Sequence, residues 1–528
     1  KYAPRAIRSI ISKEKGKFVT LDEFTKTVSE EDYFYKIVIQ VWSLYEKQKT
    51  KENVVDFDDL LLKTTELLKN NEVARKYYQN KWKYIHIDEY QDTNTVQYLM
   101  AHLLAGDNKN ICVVGDPDQC IYSWRSADLK NILNFQKNYP ETQIVLLEEN
   151  YRSTQNILAA ANEIIKKNKY RADKNLFTNN LAGEKLSVYE AMDENDEADF
   201  VARKILEIWK SELCKPRSEV SKSDLSVLGK SDLHTSDPHI SIAILYRANF
   251  QSRALEEAML RYNIPYQVLG VKFFERKEVK DVLAYLRAAL NPENLSDIKR
   301  IINFPARGIG KATLVKIFAK ENLPIKMQIK IDQFFNLLKI IKENSEILSV
   351  SDLIKFTVKK SGIEQELVNG TEEDKERLEN IKELVTLAIK YNNIENGLEK
   401  LLEEASLASE QDSLVVNDMQ TPPPGPLPKG EGVSPVKLMT VHASKGLEFN
   451  TVFVVGLEFG LFPHDKDGSE APEDAEEERR LFYVALTRAE KRIFLSYASV
   501  RTIFGSPKMN YPSEFLSDIS EEFLEEII

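Results

Sequence analysis

Two short β-branched runs frame the first third of the chain, and each empties into acids and amides. Tyr84-Ile85-His86-Ile87 runs into Asp88-Glu89-Tyr90-Gln91-Asp92, and Ile111-Cys112-Val113-Val114 runs into Gly115-Asp116-Pro117-Asp118-Gln119. From Tyr33 to Tyr78 apolar residues recur at helical spacing, as in Ile37, Val41 and Leu44, then Leu60, Leu61, Leu67 and Leu68, which predicts helices. Between Trp82 and Asn168 short β-branched runs alternate with helical stretches, the βα signature of a parallel sheet. Leu186–Val188 and Ile240–Leu245 open a second βα series, which resumes at Val436–Leu438 and Thr451–Val455. The residues between, from about Asn291 to Leu407, read as almost wholly helical; Thr371 is expected to cap a helix whose first turn holds Glu372, Glu373 and Asp374. A helical module thus interrupts the second sheet domain. The polar stretch Lys215–Pro238 reads as a surface insertion, and the prolines of Thr421–Pro428 as an extended connector.

Length changes the picture only by allowing several cores: 528 residues, 42% hydrophobic, suit three or four domains. The net charge of −11 repels a polyanion overall, so any nucleic-acid contact must be local. Three widely spaced cysteines suit a reducing compartment, and no run approaches the ~18 apolar residues of a membrane span. A cytoplasmic setting and no membrane partner are expected. The six histidines form no ligand-spaced cluster with cysteines, which speaks against structural zinc.

Candidate chemistry starts at the strand ends, because ligands of open parallel sheets lie beyond the carboxyl ends of the strands. An acid pair such as Asp88 and Glu89 can simply open a helix; alternatively Asp88 holds magnesium and Glu89 accepts a proton from an attacking water. Tyr122 and Trp124 fit one face of a core strand, or, beside Ser123 and Arg125, a stacking platform for unpaired bases. Arg152 precedes a predicted helix that Ser153 or Thr154 could cap. It is either an ordinary exposed arginine or one half of an anion site with the helix N-terminus. Arg488 falls on the apolar stripe of Leu481, Val484 and Ala485, so it either snorkels or points across a cleft at a phosphoryl group. The run Glu476–Arg480 reads as a solvated, salt-bridged face. Ala306–Lys311 reads either as a hairpin that holds a DNA phosphate through backbone N–H groups or as a plain turn between helices. No stretch fits G-x-x-x-x-G-K-[ST]: Gly229-Lys230-Ser231 has Asp224, and Gly310-Lys311-Ala312 has Pro305, where the first glycine belongs.

Five ordered stretches carry a family resemblance: Asp-Glu-Tyr-Gln-Asp-Thr-Asn at 88–94, Gly-Asp-Pro-Asp-Gln-Cys-Ile-Tyr-Ser-Trp-Arg at 115–125, Asn-Tyr-Arg-Ser-Thr at 150–154, Thr-Val-His-Ala-Ser-Lys-Gly-Leu-Glu-Phe at 440–449 and Tyr-Val-Ala-Leu-Thr-Arg-Ala at 483–489. With them the chain resembles UvrD/Rep-type superfamily 1 DNA helicases. The resemblance implies an α/β fold of two RecA-like parallel-sheet motor domains with helical accessory domains. The implied division is the remainder of a first accessory domain (1–55), the C-terminal part of motor domain 1A (56–180), motor domain 2A in two parts (181–290, with insertion 215–238, and 436–528), an inserted accessory domain 2B (291–420) and a linker (421–435).

The resemblance also implies ATP and Mg2+ as ligands, with Asp88 on the metal, Glu89 as base, Gln119 and Arg152 at the γ-phosphate and Arg488 as arginine finger. Tyr151 would stack on adenine, Glu448 contact ribose and Lys445 lie near the phosphates. Tyr122, Trp124, Arg125 and His442 would contact single-stranded DNA, and Gly308 and Gly310 the duplex at a single-strand junction. Translocation 3′ to 5′, roles in DNA repair or replication and association with the nucleoid belong to the same expectation. The family's phosphate-binding loop is missing from these residues, and the first methionine is Met100. The chain is therefore expected to be N-terminally truncated and, taken as it stands, to hydrolyse ATP poorly. A DNA-binding remnant without catalysis is the alternative.

Overall fold

The computed structural model describes residues 4–29, 31–171, 174–213, 240–310, 313–314, 323–415, 434–464, 472–503 and 505–527. The expected insertion at 215–238 and most of the linker at 421–435 lie outside these residues.

Five helices come first: α1 (Pro4–Gly16), α2 (Leu21–Thr27), α3 (Tyr33–Glu52), α4 (Phe57–Asn70) and α5 (Glu72–Lys81). Ile7, Ile11, Phe24, Val38 and Trp42 form their small core. Two buried lysines staple three of the helices: Lys15 Nζ lies 2.8 Å from Asp59 and 3.0 Å from Asp56, and Lys49 joins the same acids. Next come β1 (Ile85–Ile87), α6 (Thr95–Ala105) and β2 (Ile111–Val113), with β1 and β2 paired in parallel. Ile144-Val145-Leu146-Leu147, one of the apolar runs between Trp82 and Asn168, is unpaired and exposed, since among the described residues no strand lies alongside it.

The second lobe is a doubly wound sheet. It contains α7 (Gln155–Lys166), β3 (Leu186–Ala191), α8 (Glu194–Leu213), β4 (Ile242–Tyr246), α9 (Ser252–Arg261) and β5 (Tyr266–Val268). After the helical module follow β6 (Val436–Thr440), β7 (Phe449–Val454), α16 (Pro472–Leu486), β8 (Ala489–Ala498), the hairpin β9 (Val500–Ile503) and β10 (Ser506–Met509), and β11 (Leu524–Ile527). Seven strands pair in parallel in the order β11-β3-β8-β7-β4-β6-β5. Such strands are covered on both faces. Accordingly β4 reads Ile-Ala-Ile-Leu-Tyr with every residue buried. One face packs on α7 and α16, the other on α8 and α9.

α7 buries Ile157, Ala160, Ala161, Ile164 and Ile165 against the seven-stranded sheet. The helical module draws in α10 (Lys277–Leu290), which shares one core with α11 (Leu295–Ile301), α12 (Ile325–Ser345), α13 (Val350–Ser361), α14 (Glu372–Ala388) and α15 (Gly397–Val415). Helical periodicity finds an apolar stripe but not the surface it faces. Thr371 caps α14 as expected: its Oγ1 accepts the Asp374 N–H at 3.2 Å, and Asp374 accepts the Thr371 N–H at 3.1 Å.

Candidate functional site

The carboxyl ends of β1 and β2 are locked together by one buried amide. Gln91 donates to Glu89 Oε2 (2.5 Å), while its Oε1 accepts the Asp116 N–H (2.9 Å). Gly115 is needed there, because a Cβ would stand 2.5 Å from that Oε1. Asp88 and Glu89 are exposed, and Asp88 accepts the Glu89 N–H at 2.8 Å. Glu89 takes a left-handed backbone, φ +50°, a strain of about 1–2 kcal/mol for a non-glycine residue that is typical of functional turns. Asp116 accepts the Gln119 amide at 3.0 Å and is paired with Lys174; Arg171 holds buried Asp118 at 3.0 Å.

The second lobe sends cations against these acids. The loop between β6 and β7 places Lys445 Nζ 2.5 Å from Asp92, 2.8 Å from the Gln119 carbonyl oxygen and 3.6 Å from Glu89. Burial pushes the Asp92 carboxyl above its usual range, against the pull of Lys445. Arg152, leading into α7, donates to Glu448 at the mouth of β7 (2.7 Å) and to the Thr487 carbonyl (3.2 Å). Ser153 does not cap α7; its hydroxyl donates to the Ala489 carbonyl at 2.7 Å, and Thr154 is the N-cap without a side-chain bond.

Arg488, where α16 hands over to β8, is 3% exposed. It donates to the carbonyls of Val484 and Leu447, both 3.2 Å, and to the Thr487 hydroxyl at 3.3 Å, with no carboxylate bonded to it among the described residues. Burial, and then the charge of Arg152, depress its guanidinium to about 10. Within one seam Arg152 has Glu448 as its bonded partner, while Arg488, which feels the charges of Arg152, Glu89 and Glu448, is bonded to neither acid, so an anion between the two guanidiniums would relieve the conflict. Tyr151 is 79% exposed; its hydroxyl donates to Glu149 at 2.8 Å and its carbonyl accepts the Asn180 amide at 3.2 Å.

A ring cluster adjoins this seam. Tyr122, Trp124 and His442 lie with ring centres 6.3–6.5 Å apart, and Trp124 is 60% exposed on a short helical turn rather than in a core strand. Tyr122 donates to the His442 carbonyl (3.2 Å), and Lys445 Nζ stands 5.2 Å from the Tyr122 ring centre. One lysine therefore touches the acids, the Gln119 backbone and the ring platform. The Arg125 side chain lies outside the described residues. Gly308 and Gly310 lie elsewhere, exposed in the helical module. Gly308 has φ +75°, and Arg307 beside it caps α11 by donating to the carbonyls of Ile301 and Ile302.

Sequence reading missed how the second lobe grips the 116–125 segment. Glu476, Glu478 and Arg480 are buried, which corrects the solvated face expected for that run. Arg480 donates to the Cys120 carbonyl at 2.9 Å, Glu477 accepts the Ser123 N–H at 3.1 Å, and Glu478 takes three bonds from Arg247, the shortest 2.7 Å. The charge run was the available signal, but its burial was not readable; Arg171 and Lys174 gave none. Among the described residues no group of three or more His, Cys, Asp or Glu could hold a metal. A lone carboxylate such as Asp88 would hold a magnesium ion only with phosphate and water as its further ligands.

Two sheet lobes with acids on one and guanidiniums on the other define a P-loop NTPase helicase fold, and the family models agree. Residues 1–140 match the UvrD/REP helicase N-terminal domain and residues 145–500 the UvrD-like helicase C-terminal domain. The ATP-dependent DNA helicase PcrA of Staphylococcus aureus (strain MRSA252) is 39% identical over 549 residues, covering 99% of this chain and 70% of the relative. The protein of the same name from Staphylococcus epidermidis (strain ATCC 35984) is 38% identical over the same shares. The chain belongs to the UvrD-like helicase family. No helix of the described residues is long and apolar enough to cross a membrane.

Proposed function

We propose that the protein is an ATP-driven DNA helicase that moves 3′ to 5′ on single-stranded DNA and opens duplex at single-strand junctions, acting in DNA repair or replication in the cytoplasm, at the nucleoid. The observation that carries this reading is the pair Arg152 and Arg488, close enough that each charge is felt by the other, with Glu448 bonded to Arg152 and the charge of Glu89 reaching Arg488.

In this reading the triphosphate of ATP lies between the lobes. Magnesium, when bound, neutralises phosphate charge and orients oxygens. Asp88 holds the ion, and Glu89, exposed beside it, accepts a proton from the attacking water. Gln119, steadied by Asp116, and Arg152 read the terminal phosphate. Arg488, already desolvated, stabilises charge that grows during transfer; such fingers contribute ~10³–10⁵ in rate. Lys445 leaves Asp92 for the phosphates, while Glu448 and Tyr151 contact ribose and adenine. Tyr122, Trp124, Arg125 and His442 stack on or hold the strand, and Gly308 and Gly310 touch duplex. Because Lys445 contacts both the Gln119 carbonyl and the Tyr122 ring, its movement links the nucleotide to the strand.

For the domains we propose that the first motor lobe ends near residue 145, so that α7 opens the second, and that the inserted accessory domain includes α10. The test is ATP hydrolysis with and without single-stranded DNA, together with unwinding of duplexes carrying a 3′ or a 5′ tail. DNA-stimulated hydrolysis and opening from 3′ tails only are expected. A second reading, DNA binding without hydrolysis, has in its favour that the 528 residues hold no G-x-x-x-x-G-K-[ST] stretch; strand binding with no hydrolysis would select it.

A further inference from the structure

At the opposite ends of β1 and β2 from Asp88 and Asp116, the chain presents a second aromatic and basic face. On α5 the pairs Tyr77 with Lys81 and Tyr78 with Trp82 fall at i and i+4, neighbours on a helix. Lys81 Nζ lies 5.8 Å from the Tyr77 ring centre, Tyr78 and Trp82 stack at 4.9 Å, and Tyr77 meets Tyr78 edge-on at 5.1 Å. Trp82 closes α5 and remains 46% exposed; Tyr84, leading into β1, is 73% exposed. Beside them an open notch is lined by Gln79, Asn80, Lys83, Tyr84, Lys109 and Asn110. Asn110 ties its walls together, donating to the Lys83 carbonyl at 2.7 Å.

The charges of this face are uncommitted. Lys76 is paired with Glu72 and Arg75 caps the Leu68 and Lys69 carbonyls. No carboxylate lies within salt-bridge distance of Lys81, Lys83 or Lys109 among the described residues, although Asp107 is an exposed acid two residues from Lys109. In a chain of net charge −11 this is a local reversal of sign. Exposed rings interleaved with unpaired lysines suit a ligand with flat faces and a regular negative charge, which is unpaired nucleic acid.

We infer that α5 and the starts of β1 and β2 form a second single-strand site, distinct from the Tyr122 and Trp124 platform, with bases on Trp82 and Tyr84 and phosphates on Lys81, Lys83 and Lys109. The chain has four tryptophans, of which Trp42 and Trp209 are buried, so Trp124→Ala leaves Trp82 as the exposed indole. The test is to titrate that variant with an oligothymidylate and follow tryptophan fluorescence over a range of salt.

Quenching is expected, and adding Trp82→Phe should abolish it. Replacing Lys81, Lys83 and Lys109 with Gln, all surface changes, should lower the slope of log affinity against log salt by about 2, at ~0.7 per phosphate contact. No quenching, quenching that persists with Trp82→Phe, or a slope unchanged by the triple substitution would overturn the site. Displacement of the oligonucleotide by polyglutamate at equal charge would overturn it as well, and assign the face to an acidic protein partner.

Discussion

Lys445 Nζ reaches Asp92 at 2.5 Å across the seam between the lobes, and the other Asp92 oxygen, Oδ1, is buried with no partner. The lysine comes from the loop after β6 and the acid from the loop after β1, so the contact clamps one lobe to the other. Because Lys445 also bonds the Gln119 carbonyl and approaches Glu89, the clamp occupies the place where a nucleotide is proposed to bind.

If the clamp is a working contact, Lys445→Ala and Asp92→Asn should not be additive. A double-mutant cycle in chemical denaturation is expected to show a coupling of about 1–3 kcal/mol. Additive effects would mean that the two side chains are neighbours without being partners.

The Trp124 indole is open to solvent, and removing it should cost binding rather than folding. Trp124→Ala is expected to weaken affinity for a short oligothymidylate by about 1–3 kcal/mol, some five- to 150-fold. Circular dichroism and the thermal midpoint should stay at wild-type values. Unchanged affinity would refute the stacking role.

That the Tyr122 and Trp124 segment is not a core strand was legible in the sequence, because the two rings stand among Ser123, Arg125 and Ser126, a poor composition for one. The strand ends at Asp88 and Asp116 were legible for the same local reason, an apolar run emptying into acids. Arg488 could be flagged because it breaks an apolar stripe. What could not be read is which surfaces meet. The burial of Glu476, Glu478 and Arg480 depends on α16 facing the 116–125 segment across more than 350 residues of chain. The packing of α7 on the second sheet, and the unpaired state of Ile144–Leu147, are likewise set by neighbours distant in sequence or lacking among the described residues.

Arg488 is a charge held at a cost. Its depressed guanidinium means that the folded state disfavours the cation relative to the unfolded chain, at every pH below about 10. Arg488→Met should therefore raise the thermal midpoint at pH 7, by an amount equivalent to about 1–2 kcal/mol after loss of three hydrogen bonds to neutral oxygens. The same variant should lose the stabilisation that millimolar pyrophosphate gives the wild type. A lower midpoint would show that the guanidinium is structural.

Glu478 gives the opposite pH signature. Burial raises its carboxyl, but Arg247, together with the His464 N–H, leaves it below the usual range. A depressed acid contributes stability that is present above the unfolded value of 4.5 and is lost as pH falls through the folded value. Glu478→Gln should cost about 2–4 kcal/mol at pH 7, because half-buried Arg247 loses its counter-charge, and should flatten the acid limb of the stability curve below pH 4.5. Denaturant midpoints between pH 3 and pH 8 check both effects.

The most direct measurement is calorimetric titration of the protein with magnesium tripolyphosphate, an anion with the charge of a nucleotide tail and no base. Binding of one equivalent is expected, and Arg152→Ala together with Arg488→Met should remove it while leaving oligothymidylate binding intact. Undiminished binding by the double variant would contradict a phosphate site between the two guanidiniums.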